Sequence, residues 1–255
     1  MSYTRDHKLF RIYIDENILL NSTIILGKKQ SHYLRNVLRL KIGYNVIVFN
    51  ENAGEFLAEL ANESKNDLAL NIVEQLREPQ ILPNLTLCFC PVKNAKTEFI
   101  IEKATELGIA EVQPIISKHT IVRKTNLERL QLAAIEATEQ SERITPPKVY
   151  DEISFDDAVK KYAKTHKIMF CDEGLAENFG KNSVAEVLKN QPKNSGENWV
   201  IFIGPEGGFS PDEREKLYKL SPEKIFAVSL GSRILRADTA AIASITLWQN
   251  YVGDF

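Results

Sequence analysis

The chain has 255 residues, 44% hydrophobic and 26% charged, which favours one large or two unequal domains and excludes disorder and fibrous repeats. Three cysteines (Cys88, Cys90, Cys171) without a C-x-x-C pair, and four histidines (His7, His32, His119, His166) without helical ligand spacing, exclude a disulfide framework and point to a reducing compartment with no metal site. The net charge of −2 conceals an asymmetry: residues 1–41 carry eight basic side chains (Arg5, Lys8, Arg11, Lys28, Lys29, Arg35, Arg39, Lys41) against Asp6, Asp15 and Glu16, a balance of +5 that leaves −7 for the remaining 214 residues.

In chain order, Met1–Lys8 has no apolar stretch behind its charges, so it does not read as a secretory signal. No run approaches the roughly 20 apolar residues that cross a bilayer, and a cytoplasmic protein away from membranes is expected. The basic segment predicts a polyanion partner. Within it, His32–Leu40 reads as a short helix with Leu34, Val37, Leu38 and Leu40 on one side and His32, Arg35, Asn36 and Arg39 on the other. Arg35 and Arg39, four apart, would project from one stripe beside Tyr33, an arrangement suited to phosphate contact with base stacking.

Short β-rich runs at Leu9–Ile14, Asn45–Phe49, Glu55–Leu60 and Asp67–Leu76, separated by Gly43, Asn50–Gly54 and Asn62–Asn66, predict a small barrel carrying one short helix. The two prolines of Arg77–Pro83 place a boundary there, giving domains 1–76 and 77–255.

Beyond it the pattern alternates. Strands are predicted at Leu85–Cys90, Glu111–Ser117, Lys167–Asp172, Trp199–Ile203 and Ile225–Ser229, with Pro114 marking an edge or bulge and Cys88 and Cys90 packing in the core. Helices are predicted at Ala95–Leu107, ended by Gly108; at Leu127–Glu142, capped by Asn126 and stopped by Pro146-Pro147; from Ser154 to about Lys164; at Ser183–Lys189; from Ser210-Pro211-Asp212-Glu213; and at Asp238–Tyr251. This order is that of an α/β fold with a mostly parallel sheet covered on both faces.

Two strands run into glycine loops: Trp199–Ile203 into Gly204-Pro205-Glu206-Gly207-Gly208-Phe209-Ser210, and Ala227–Leu230 into Gly231-Ser232-Arg233-Ile234-Leu235-Arg236-Ala237-Asp238-Thr239-Ala240. Open α/β sheets bind ligands at the carboxyl ends of their strands, so both loops face one site. Phe209 follows Gly208 where a phosphate loop needs lysine, and the glycine spacing fails the dinucleotide fingerprint. The loops therefore suit a ligand without phosphates, and carboxylates at Glu206 and Asp238 favour a cationic one.

These two loops resemble the signature loops of the ribosomal small-subunit RNA methyltransferase E family, knotted S-adenosylmethionine enzymes of the SPOUT superfamily. His32–Leu40 with Lys41–Gly43, Lys93–Lys96, Glu102–Gly108 and Glu139–Arg143 match further blocks of that family in order, so the resemblance spans nearly the whole chain. Two departures stand out: Asp238 where glutamate is usual and Glu142 where glycine often sits. The resemblance implies a SPOUT-type parallel sheet with a carboxyl-terminal trefoil knot, an amino-terminal PUA-like β-barrel, and a homodimer whose site is completed across the interface. The apolar circumference of Thr239–Trp248 agrees with a dimer. It also implies methylation of uridine N3 in 16S ribosomal RNA of the small subunit, with S-adenosylmethionine held by Gly204, Glu206, Gly207, Gly208, Leu230, Gly231, Ile234, Leu235 and Arg236.

For the chemistry, Arg236 is placed at the oxygens of the deprotonated uridine, Glu206 at the imide proton or the donor's amino group, and Arg143 at the target base or its phosphate from the dimer partner. His32, Arg35, Arg39 and Lys41, with Lys93 and Arg123, are the expected RNA contacts. The alternatives are a related knotted enzyme acting on a ribose hydroxyl or another base, and a non-catalytic RNA-binding assembly factor.

Overall fold

The computed structural model describes residues 9–62, 68–93 and 96–255. The readings on Arg5, Asp6, His7 and Lys8, on most of the Asn62–Asn66 turn, on Asp67 and on Ala95 lie outside the described residues. The chain divides into two compact units, one reaching Ile81 and including Thr138–Pro146, the other formed by Leu82–Ala137 and Pro147–Phe255. The inclusion of Thr138–Pro146 in the first unit had no counterpart in the linear domain reading.

The first unit is a five-stranded sheet of β1 (Arg11–Tyr13), β2 (Thr23–Ile25), β3 (Asn45–Asn50), β4 (Gly54–Asn62) and β5 (Leu68–Arg77), in the order β1-β3-β4-β5-β2. The pair β1–β3 is parallel and the other neighbours are antiparallel. Ile12, Ile14, Leu34, Val48, Leu60 and Leu70 share its apolar core. At the β3–β4 turn Gly54 is required: its φ is +92°, and a Cβ there would lie 2.2 Å from the Arg77 carbonyl oxygen.

The helix in this unit differs from its periodic reading. Residues Lys28–His32 form α1, followed by a π-helical turn over Tyr33–Val37. The Leu38 N–H reaches back to Tyr33 O and the Leu40 N–H to Leu34 O, with Arg39 in the left-handed region at φ +55°. Only Leu34 is fully buried, Leu38 and Leu40 pack in part, and Val37, expected inside, is 59% exposed. The wider turn and left-handed Arg39 break the four-residue register, so Arg35 and Arg39 do not form a helical stripe.

A buried charge cluster fastens Thr138–Pro146 to this sheet. Glu55, 3% exposed, accepts from Arg11 Nη2 at 2.6 Å and Arg77 Nε at 2.8 Å. The same arginines donate to main-chain carbonyls past the end of a helix: Arg11 to Arg143 and Arg77 to Glu142, each at 2.9 Å. These carbonyls lie just beyond α3, and two arginines held by one carboxylate supply their donors. Arg11, counted with the basic segment, is thus consumed inside the protein.

The second unit holds β6 (Leu85–Phe89), α2 (Lys96–Glu106), β7 (Glu111–Ile116), most of α3 (Leu127–Gln140), β8 (Lys148–Val149), β9 (Ile153–Ser154), α4 (Phe155–Tyr162), β10 (Lys167–Cys171), α5 (Phe179–Asn182), α6 (Val184–Leu188), β11 (Trp199–Ile203), α7 (Pro211–Tyr218), β12 (Ile225–Val228) and α8 (Ala237–Tyr251). The sheet runs β12-β10-β11-β6-β7-β8, and each of these pairs is parallel. Strand alternation splits the core: Leu85, Leu87, Phe89, Trp199 and Ile201 face α2, α3, α6 and α8, whereas Cys88, Cys90, Val200 and Phe202 face α4 and α7.

The expected caps form. Asn126 Oδ1 accepts the Arg129 N–H, Ser154 the Asp157 N–H, and Ser210 with Glu213 completes a reciprocal capping box before Pro211. Pro114 lies in β7, an interior strand. On its open side β8 pairs with Glu111–Val112 and β9 with Ile115–Ile116, so the proline faces the break between them.

Candidate functional site

The sheet order makes β12, β10 and β11 neighbours, and their parallel direction brings three carboxyl ends together. The segments leaving them enclose a cavity of about 270 Å³. From the β11 end come Gly204, Glu206, Gly207 and Gly208; from the β12 end come Leu230, Gly231, Ile234 and Leu235. Eight of the nine expected donor-site residues therefore line one pocket. Arg236 is the exception: it is exposed and provides the extended N-cap residue of α8, and Arg233 of the same loop lines the cavity instead.

The β10 end was missed. It contributes Cys171, Asp172 and Glu173 to the wall. The sequence marks the strand but not its end, which lacks a glycine loop; its place between two strands with glycine loops is the available signal. Asp172, 1% exposed, accepts from Arg214 Nη2 at 2.9 Å, the Tyr218 hydroxyl at 2.6 Å and the Gly174 N–H at 2.9 Å. Burial and the Asp172 bond and charge push the Tyr218 phenol up; at Arg214 burial acts downward, and the Asp172 bond and charge together with Tyr218 and Glu173 outweigh it and raise the guanidinium. Burial lifts the Cys171 thiol to about 12, and the side chain packs against the apolar core behind the wall.

The first glycine loop is braced from several sides. The Gly208 N–H closes a turn onto Pro205 O at 2.9 Å, with Gly208 at φ +66°. A Cβ on Gly208 would fall 2.0 Å from Glu173 Oε1, which places that carboxylate against the bend. His119 Nδ1 lies 3.1 Å from both the Gly207 and Gly208 carbonyl oxygens; since carbonyls only accept, this nitrogen carries the proton. Glu213 accepts the Lys118 and Ser210 N–H groups, each at 2.8 Å. The capping motif announces the Glu213 bond to Ser210, whereas no spacing or motif announces His119 or the reach of Glu213 to Lys118.

At the start of α8, Asp238 pairs with Lys96 at 3.4 Å and accepts the Thr239 N–H at 2.8 Å. These contacts outweigh its partial burial and hold its carboxyl below the usual range. Arg143, expected at the target base, is 8% exposed in the first unit, where its carbonyl accepts from Arg11. His32, Arg39 and Lys41 are exposed on the first unit and Arg35 is half-buried, its Nη2 3.4 Å from Asn62 Oδ1. Lys93 and Arg123 are exposed on the second, Arg123 donating to Lys118 O. Among the described residues no group of three or more His, Cys, Asp or Glu could hold a metal ion, and no helix is long and apolar enough to cross a membrane.

Two family models match the chain. Residues 79–249 match an RNA methyltransferase domain, and residues 26–73 match an RNA methyltransferase PUA domain. The ribosomal RNA small subunit methyltransferase E of Rickettsia conorii is 39% identical over 239 residues, covering 93% of this chain and 94% of that protein. The crystal structure of a ribosomal RNA small subunit methyltransferase E from Neisseria gonorrhoeae bound to S-adenosylmethionine is similar with a TM-score of 0.82 at 28% identity, covering 97% and 99% of the two chains. A Legionella pneumophila methyltransferase in complex with S-adenosylmethionine also superposes at a TM-score of 0.82, with 25% identity over 97% of this chain and 100% of the other.

Proposed function

Because the chain belongs to the ribosomal RNA small subunit methyltransferase E family, we propose that it transfers a methyl group from S-adenosylmethionine to N3 of a uridine in 16S ribosomal RNA. The observation that carries this reading is the pocket at three adjacent strand ends. Its glycine bends bring main chain to the ligand, and its carboxylates at Glu173 and Glu206 fit a positively charged donor without phosphates.

When bound, S-adenosylmethionine supplies a methyl group already activated by the sulfonium charge. The chain has two tasks, holding the partners in line and favouring the deprotonated imide. Positioning at near-attack distance supplies roughly 7–11 kcal/mol. We assign that work to Gly204, Glu206, Gly207, Gly208, Leu230, Gly231, Ile234 and Leu235. Arg236, exposed beside the pocket loop, is assigned to O2 or O4 of the uridine, where the anion's charge resides. Glu206, exposed in the first loop, is assigned to the imide proton. Arg143, by its burial, is assigned to holding Thr138–Pro146 in the first unit.

The first unit serves as the RNA-binding module through His32, Arg35, Arg39 and Lys41, with Lys93 and Arg123 contributing from the second. We read its sheet as the PUA-like barrel and the second unit as the knotted SPOUT domain, and place the protein with its substrate in the cytoplasm. A homodimer completing the site is supported by Ile234, 85% exposed on the pocket wall, and by partly buried Ile242 and Leu247 on α8.

Incubation with labelled S-adenosylmethionine and small-subunit RNA, followed by mapping of the modified nucleotide, tests this function. Label on uridine N3 is expected; label on ribose or another base overturns the N3 assignment alone. No label with intact RNA binding leaves an assembly factor. Arg236→Ala should bind donor within about tenfold of wild type and lose turnover; equal loss of both places it in the donor site instead.

A further inference from the structure

Resting on the donor-site reading, we propose that Glu173 makes the pocket select the cationic methyl donor over the neutral thioether product. The ionised donor carries a sulfonium, an ammonium and a carboxylate, for a net charge of +1. Methyl transfer breaks the C–S bond and leaves its electron pair on sulfur, so the product is net neutral. The two ligands have nearly the same shape, and charge is what a pocket can read between them.

The ionisable wall residues decide the sign. Asp172 is matched by Arg214, which leaves Glu173 and Glu206 against Arg233. Glu173 is the better placed carboxylate. Its Oε1 lies against Gly208 at the bend of the first loop. Its backbone is fixed on both sides, since Asp172 N–H bonds to Val228 O at 2.9 Å and Asp172 Oδ1 accepts the Gly174 N–H. Beyond it, Gly174 packs so tightly on Arg214 that a Cβ would lie 2.2 Å from Nη2. Glu173 is exposed at the start of the 3-10 turn Glu173–Asn178, so its carboxylate is open to the pocket from a hydrogen-bonded main chain, and a negative charge there attracts a cation.

The test is calorimetric titration of the full chain with S-adenosylmethionine and with S-adenosylhomocysteine, in wild type, Glu173→Gln and Glu173→Asp. Removing one pocket charge is expected to weaken the donor by about 5- to 30-fold while the product stays within about twofold. Glu173→Asp, which keeps the charge, should retain most of the preference, and it carries the test if the Gln variant fails to fold. Equal weakening of both ligands, or no change in either, overturns the inference and leaves the donor site standing. Failure of the wild-type chain to bind either ligand overturns the donor site itself.

Discussion

Asp172 accepts the hydroxyl proton of Tyr218 at 2.6 Å, joining the end of β10 to the last turn of α7 beneath the pocket wall. Hydrogen bonds to an ionised group contribute about 1.5–3 kcal/mol each. Tyr218→Phe, which removes only the hydroxyl, should lower unfolding stability by an amount in that range, measured by denaturant titration. An unchanged midpoint would show that this bond does not hold the wall.

Glu142 adopts φ +59° beyond the end of α3, a conformation that costs a residue with a Cβ about 1–2 kcal/mol. Glycine adopts this conformation without that cost. Glu142→Gly should raise stability by about 1 kcal/mol, or roughly 2–4 °C in melting temperature. A lower melting temperature would mean that the Glu142 charge, which supports Arg11, outweighs the backbone strain.

Burial holds the His166 imidazole below its usual 6.5, with Lys161 and Lys224 acting in the same direction and Glu111 opposing them. The unfolded chain therefore binds the proton more readily than the folded one. This contribution to stability is full above pH 6.5 and is lost as pH falls through the lower folded value. Melting temperatures between pH 7.5 and 5 should decline in wild type and decline less in His166→Gln. Parallel curves for the two proteins would contradict this.

Three or four phosphate contacts from the first unit should give log affinity for small-subunit RNA a slope of roughly −2 to −4 against log salt. Charge reversal at Arg35 and Arg39 should weaken binding and flatten that slope. Affinity unmoved by both changes would remove these residues from the interface.

What was legible in the chain follows local chemistry. Ser154, Ser210 and Asn126 announced helix starts because capping uses neighbouring atoms, and the glycine loops announced two strand ends because sharp bends need glycine. Glu173 stayed silent, since its importance comes from β10 lying between β11 and β12, a relation of sheet order. β2 is three residues long with one buried side chain, too short for alternation to register. The His32–Leu40 reading places Leu34, Leu38 and Leu40 inward as found, but misses Val37 and the Arg35–Arg39 register because a 3.6-residue period cannot anticipate a π-helical turn. Thr138–Pro146 joins the first unit through arginines more than sixty positions away, and no linear pattern encodes that.

Equilibrium binding of labelled S-adenosylmethionine to wild type and to Gly208→Ala tests the donor pocket most directly. The substitution strains a backbone at φ +66° and drives a methyl group into the place of the Glu173 carboxylate. One saturable site per wild-type chain, weakened at least about tenfold in a variant that still folds, is the predicted result. Donor binding that ignores the substitution, or no saturable binding to the wild-type chain, would contradict the account.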